Sequence, residues 1–313
     1  MSIHVMVLNF SRRDLLEECL PSVVAAVKAA PMHCRLSVVD NASTDGSVEW
    51  VRKEYPEVGV IETGKNNFLF SLNPLVAQTP EEAVLLLNND IKVEPGFIEP
   101  LWMALESNPE SFCISPIHYS FDGEYNGGRN RFGLKGSVPW AGPFWQGQNP
   151  CIDCRGNTLF TGNGLFRKHM FMELGGFDEL FAPMGWEDVD ICMRAWKRGW
   201  VSIFEPTSVI YHKSSASIGR DFAPFRRKML SSRNAFIWWF ANITSVRLQI
   251  RFWVLLIPTL VACLLTGRFF HILGFIRSLG RYRRAVRRRK GDRMREIWAD
   301  EYVMKESAKS GGV

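Results

Sequence analysis

No apolar run in this 313-residue sequence reaches the roughly 20 residues that cross a bilayer comfortably. The nearest is FWVLLIPTLVACLLTG, sixteen uncharged residues between Arg251 and Arg268, with Pro258 near its middle. Cysteine is sparse and odd in number, seven scattered residues, which gives no basis for a disulfide framework. Cys151 and Cys154 form a CxxC with no second pair nearby, so loop cysteines are expected there rather than a zinc or redox centre. The opening MSIHVMVLNF has the pattern of a strand rather than of a secretory leader, so a cytosolic setting with reduced thiols is expected. A general basic character is also lacking. The net charge of +6 comes from one segment, 277–295, which holds ten Lys and Arg against the single acid Asp292. That segment alone is +9, leaving the remainder at about −3.

Hydrophobic residues make up 46% of the chain, enough for a full core, and their spacing alternates between two periods. IHVMVLN (3–9) reads as a buried strand. Ser11 to Asp14 fits a capping box with Ser11 as the N-cap, opening a helix to about Lys28. RLSVV (35–39) reads as a second strand ending at Asp40, and a turn over 41–46 leads into a helix from Ser47. AVLLL (83–87) is a further strand, ending at Asn88-Asn89-Asp90. Strand and helix in alternation point to βαβ units and an α/β fold with a mostly parallel sheet. Ligands of such sheets bind beyond the carboxyl ends of the strands, where Asn9, Asp40 and Asp90 fall. From 112 to 160 the periodicity loosens, and loops with short strands are expected. A helix from Glu187 to Arg198, stopped by Gly199, follows. It opens on Glu187, Asp188 and Asp190, which helix-dipole complementarity alone would explain.

Beyond about residue 240 the character changes to apolar and then basic sequence. The alternatives for 252–276 are a buried hairpin and a membrane-embedded or interfacial segment. The basic flank favours the second, bound to an anionic leaflet at the cytoplasmic face. Nucleic-acid binding by this tail is not expected, because aromatics are sparse within it.

The order of motifs VLNFSRRDLLEECLPSV, VVDNASTDGSVEWVRKEYPEV, LLLNND, TGNGLFRKHMFMELGGFDELF, WEDVDICMRAWKRGW and IYHKSSAS resembles family 2 glycosyltransferases of the GT-A fold. More narrowly it resembles rhamnosyltransferase-type enzymes of bacterial cell-surface polysaccharide assembly. The resemblance covers about residues 3–240, and implies a GT-A domain over 1–240 followed by a helical membrane-associating region over 241–313. It implies an inverting transfer from a nucleotide sugar, dTDP-rhamnose or a UDP-hexose, to a glycan or polyprenyl-linked acceptor. By that likeness Asp188 is the general base, with Glu187 orienting the acceptor or raising the proton affinity of Asp188. Asp190 is expected to be structural. Trp186 offers a flat face to a sugar ring. Asp90 closes an Asp-x-Asp-like motif, and His212 completes the shell of Mn²⁺ or Mg²⁺, the imidazole favouring Mn²⁺. Asp40 is implied to bond the nucleobase, with Asn9 and Phe10 along base and ribose and Asn66 and Asn89 also on the nucleotide. Gly162 and Asn163 are implied to lie beneath the donor sugar.

Two departures stand out. The first Asp of the metal motif is Asn88, which leaves fewer negative ligands. The glycine-bearing stretch usual before that motif reads Asn66-Asn67-Phe68-Leu69-Phe70-Ser71-Leu72-Asn73, without glycine. These departures motivate an alternative, a membrane-bound scaffold that keeps the fold without catalysis. Oligomeric state is not readable from the chain.

Overall fold

The computed structural model describes residues 2–143, 153–213, 222–307 and 309. Cys151 of the CxxC and the last residues of the IYHKSSAS motif lie outside them.

Runs of Val, Leu and Ile with no polar alternation need cover on both faces, and the sheet provides it. Strands β1 (Ile3–Asn9), β2 (Cys34–Asp40), β3 (Gly59–Glu62) and β4 (Ala83–Asn88) pair in parallel in the order β4-β1-β2-β3. Helices α1 (Arg13–Ala29), α2 (Ser47–Glu54), α3 (Leu72–Gln78) and α4 (Ile98–Ser107) accompany them. Asn9 stands opposite Asp40 and Leu8 opposite Asn88, so the carboxyl ends of these strands are level. The short β5 (Ile91–Val93) follows. Beyond β4 come the antiparallel β11 (Leu165–Arg167), then β6 (Ser111–Tyr119), and β12 (Val201–His212) parallel to β6. β5 pairs with the end of β12, placing His212 opposite Ile91 and hence beside Asp90. Strands β7 (Tyr125–Gly127) and β10 (Gly156–Asn157) sit at the margins, and β8 (Asn130–Lys135) with β9 (Val138–Pro143) forms a separate hairpin. Helix α5 (Lys168–Glu173) and the acidic helix α6 (Glu187–Lys197) pack on the sheet, and Gly199 ends the turn after α6 at φ 83° as expected.

Two expectations are corrected. The capping box does not form: α1 begins at Arg13 with Arg12 at the cap position and no side-chain cap. Ser11 is taken up elsewhere, its backbone N–H donating to Ser43 Oγ at 2.7 Å and its hydroxyl accepting from the Thr44 N–H. The Arg13 N–H donates instead to Asp45 across the loop, at 2.7 Å, and Asp14 binds the Arg12 guanidinium. The stretch after 112 holds the expected short strands β7 to β10, but it opens on β6, a strand of nine residues buried on both faces. Burial on both faces removes the alternation by which a strand is recognised.

Residue 240 lies within helix α7 (Pro224–Asn242). Helices α8 (Val246–Leu265), α9 (Phe269–Asp292) and α10 (Asp300–Glu306) follow. α7 is buried along nearly its whole second half, where Trp239 stacks on Phe252 of α8 at 5.1 Å and Phe240 meets Tyr282 of α9 edge-on at 5.0 Å. The same apolar cluster contains Val189, Met193 and Trp196 of α6. The C-terminal helices and α6 therefore share one core.

Candidate active site

The level strand ends open into a cleft of about 470 Å³. Asn9, Phe10, Asn66, Asn88, Asn89, Asp90, Gly162, Asn163, Glu187, Asp188 and His212 all line it, so most of the expected site residues converge. A hydrogen-bonded chain fixes one wall. Asn89 Nδ2 donates to Asn9 Oδ1 at 2.7 Å, and Asn9 Nδ2 donates to Asp40 Oδ1 at 3.1 Å. Asn66 Oδ1 accepts the Phe68 N–H at 2.9 Å, holding a turn where Phe68 adopts φ 53°. The glycine-free stretch thus becomes a short 3-10 helix over Phe68–Ser71 running into α3. Its Asn73 binds both the N–H and the carbonyl of Phe177, a structural role. On the floor, Asn163 Oδ1 accepts the Asn88 N–H at 2.8 Å. A side chain at Gly162 would collide with the Phe160 ring, 2.4 Å from where its Cβ would be.

At the end of β12, His212 Nε2 lies 3.3 Å from Asp90 Oδ1, and that oxygen is buried without a hydrogen bond. His118, on β6, faces His212 with ring centroids 5.9 Å apart. Its Nε2 is 3.1 Å from the Gly162 carbonyl, which can only accept, so the ring proton sits on Nε2. Burial, then the neighbouring His212, push the His118 pKa down to about 3, so the ring is neutral.

Glu187 and Asp188 also line the cleft. Burial raises the proton affinity of both carboxyls. The charge of Asp188 raises Glu187 further, whereas Asp188 is held back by the Val189 N–H, which donates to it at 2.8 Å. Oε2 of Glu187 is buried and makes no hydrogen bond to the described residues. The turn that delivers this pair uses left-handed backbone at Gly185 (φ 86°) and Trp186 (φ 75°). Such a conformation is unfavourable for tryptophan and is imposed from outside. Asn234 of α7 donates to the carbonyls of Met184 and Gly185, and Arg233 to that of Ala182. Arg281 of α9 donates to the carbonyls of Leu180 and Ala182. One turn into α6, Asp190 is fully buried between Arg194, Arg288 and Asn242, in the structural role expected of it.

Two expected residues are not on the cleft. Asp40 lies behind Asn9, its carboxylate accepting from Asn9, the Ser43 N–H and the Ser43 hydroxyl. Trp186 turns into the apolar cluster against Trp238, at 5.7 Å, because the left-handed residue reverses its side chain relative to Glu187. It therefore presents no face to a sugar in the cleft. Conversely, His118 and Arg12 line the cleft without having been anticipated. Recognising 111–119 as a strand ending level with β12 would have pointed to His118.

A mostly parallel sheet with a ligand-sized cleft at its strand ends, lined by a carboxylate–imidazole pair and by buried carboxyls, is the arrangement of a glycosyltransferase of the GT-A type. Residues 2–175 match the family described as Glycosyl transferase family 2, and residues 159–238 match Glycosyltransferase like family 2. The chain belongs to glycosyl transferase family 2. It is 30% identical over 243 residues to the N-acetylglucosaminyl-diphospho-decaprenol L-rhamnosyltransferase of Mycobacterium tuberculosis strain H37Rv, covering 69% of this chain and 78% of that protein. It is 27% identical over 227 residues to the O-antigen biosynthesis protein RfbC of Myxococcus xanthus, covering 68% of this chain and 17% of that protein. Among solved structures, S. aureus TarS 1–349 superposes with a TM-score of 0.52 at 14% identity, covering 93% of this chain and 92% of that one. GalNAc-T7 with UDP, GalNAc and Mn²⁺ gives 0.57 at 15% identity, covering 76% of this chain and 48% of that one. At such identities these likenesses speak to the fold alone.

Proposed function

We propose that this glycosyltransferase moves a sugar, with inversion, from a nucleotide sugar (dTDP-rhamnose or a UDP-hexose) to a lipid-linked glycan. It does so at the cytoplasmic face of the membrane, associated through α8 and α9. The carrying observation is that one cleft is lined both by Asp90 with His212 and by Glu187 with Asp188. The relative from M. tuberculosis, by its name, acts on a diphospho-decaprenol acceptor, which supports the acceptor class.

The donor set fits a divalent cation. Asp90 Oδ1 is a buried oxygen with no hydrogen bond among the described residues, and the His212 nitrogen lies 3.3 Å from it. Among the described residues no cluster of His, Cys, Asp or Glu large enough to enclose an ion converges, as suits Mn²⁺ or Mg²⁺ shared with substrate phosphates. Held by Asp90 and His212, the ion when bound would neutralise charge on the leaving diphosphate. Asn9, Phe10, Asn66 and Asn89 line the path for base and ribose, with Asp40 bracing Asn9 from behind. Gly162 and Asn163 floor the donor sugar. The Asp188 carboxylate takes the proton of the acceptor hydroxyl as its oxygen attacks the anomeric carbon. The bond from that carbon to the diphosphate oxygen breaks, and the nucleoside diphosphate departs.

The test is calorimetry with UDP, dTDP and GDP, with Mn²⁺ and with chelator, alongside transfer assays of Asp188→Asn. Metal-dependent preference for one nucleotide is expected. The variant should bind it as the native protein does while transfer falls by about 10²–10⁴-fold. Full transfer by Asp188→Asn would remove Asp188 from the role of base.

A further inference from the structure

A second depression, about 640 Å³, adjoins the cleft across the turn 185–187. Gly185 and Glu187 line the cleft, while Trp186 between them lines the depression, so one peptide segment separates the two. The β8–β9 hairpin connects them lengthwise. Its base, Asn130 and Pro143, borders the cleft, and its tip, Lys135 to Val138, borders the depression. The tip is fastened to α8, where Ser137 donates through its N–H to Thr259 Oγ1 at 3.0 Å and through its hydroxyl to the Phe252 carbonyl at 2.6 Å. A side chain at Gly136 would strike Thr259, so the approach is close. The walls are thus built of fixed elements.

The chemistry of these walls is one-sided. Lys135 and Arg268 are exposed cations at the depression, and among the described residues of its lining none is a carboxylate. His271, also in the lining, shares a hydrogen bond with Ser232 at 2.9 Å, and burial lowers its pKa, so the positive charge comes from Lys135 and Arg268. On α8 the lining residue Pro258, four residues after Val254 and three before Val261, stands at the edge of a row that faces solvent, Ile250, Val254, Ile257, Val261 and Leu264. The spacing of three and four makes this one continuous apolar face. A cationic recess bordered by an uncovered apolar face, one segment away from the catalytic carboxyls, suits a ligand with an anionic head and a hydrocarbon tail.

We propose that this recess receives the diphosphate and first isoprene units of the lipid-linked acceptor. The acceptor sugar then lies over the 185–187 turn and offers its hydroxyl to Asp188. The inference rests on the lipid-linked reading of the acceptor given above. Charge-assisted contacts from Lys135 and Arg268 hold the diphosphate, and the tail runs along α8 towards the bilayer.

The experiment is a fluorescence titration of the full chain with farnesyl diphosphate, which Trp140 and Trp186 in the recess report. Inorganic diphosphate and farnesol serve as separate arms, and nucleotide binding to the cleft is measured in parallel. Farnesyl diphosphate is expected to bind about tenfold or more tightly than either fragment. Lys135→Glu with Arg268→Glu should weaken it about tenfold or more, leaving nucleotide affinity unchanged. Ala262→Trp, which fills the recess without altering charge, should do the same. Undiminished binding by both variants overturns the proposal. So does inorganic diphosphate binding as tightly as the prenyl compound, which marks a free-phosphate site. Farnesyl diphosphate binding in a protein that takes no nucleotide would uphold the recess and overturn the reading of the cleft instead.

Discussion

Glu187 and Asp188 stand side by side at the mouth of α6, and burial raises the proton affinity of each. For Glu187 the folded pKa lies above the unfolded one. As pH rises the unfolded chain gives up its proton first, so this group withdraws stability from the ordinary glutamate range upward. Glu187→Gln replaces the protonated acid with a neutral group of the same shape. Its melting temperature should match that of the native protein near pH 5 and exceed it by about 2–6 °C near pH 8. An unchanged difference between these pH values would mean that Glu187 is not held protonated. For Asp188 the raised affinity places the acid limb of kcat/KM above the ordinary carboxylate range of about 4. An acid limb within that range would separate the limb from Asp188. The identities of these side chains were readable in the sequence because acids in a first helical turn are a local pattern. The directions they face were not. Trp186 neighbours Glu187 in the chain yet points into the core, owing to a φ of 75° that no residue type at that position announces.

At the scale of the element, α6 is held from both ends. Arg288 and Arg194 close on Asp190 at its start, and Lys197 near its end binds Asp300 at 2.7 Å and Glu296 at 2.9 Å. Arg288 also reaches Asp178, tying the preceding loop to the same point. Removing one partner of a buried ion pair leaves a charge without compensation. Arg288→Met should therefore destabilise the protein by about 3 kcal/mol in chemical denaturation, and lower kcat more than nucleotide affinity. Arg288→Lys should rescue only part, since a single ammonium cannot reproduce a forked contact with both oxygens of Asp190. A denaturation midpoint unchanged in Arg288→Met would show that Arg194 and Asn242 suffice. Helices and parallel strands with regular periodicity were legible in the sequence. β6 was not, being buried on both faces, and neither was the true start of α1, because Asp45 supplies its cap from a distant loop. The basic run read as a flank bound to an anionic leaflet; that Arg288 turns inward was not legible, since it and its partner Asp190 are 98 residues apart.

At the scale of the molecule, one surface is unlike the rest. α8 is long and apolar enough to cross a membrane by length and composition, and it exposes Val254 and Ile257 at 67% and 66%. The exposed face of α9 continues from Phe269, Leu273 and Ile276 into Arg283, Arg284 and Arg287. Such an order suits an apolar face in the acyl boundary with cations at the headgroups. Replacing Ile250, Val254, Ile257 and Val261 together by Asn should release the protein from anionic vesicles in a flotation assay, with its thermal unfolding little changed. Equal flotation of variant and native chains would refute a role for this face. Truncation before α8 is not an equivalent test, because it would uncover Trp239 and Phe240 of α7. The composition of this region was legible in the sequence; its attachment to α6 was not, since that runs through side chains far apart in the chain. The attachment has a consequence in time. A nascent chain emerges N-terminus first and folds in that order. Strands β1 to β4 are complete early, but the carboxyls of α6 gain their bracing only when Arg288 and Asp300 follow. A growing chain of this protein therefore carries α6 without its full bracing until α9 and α10 have also been made.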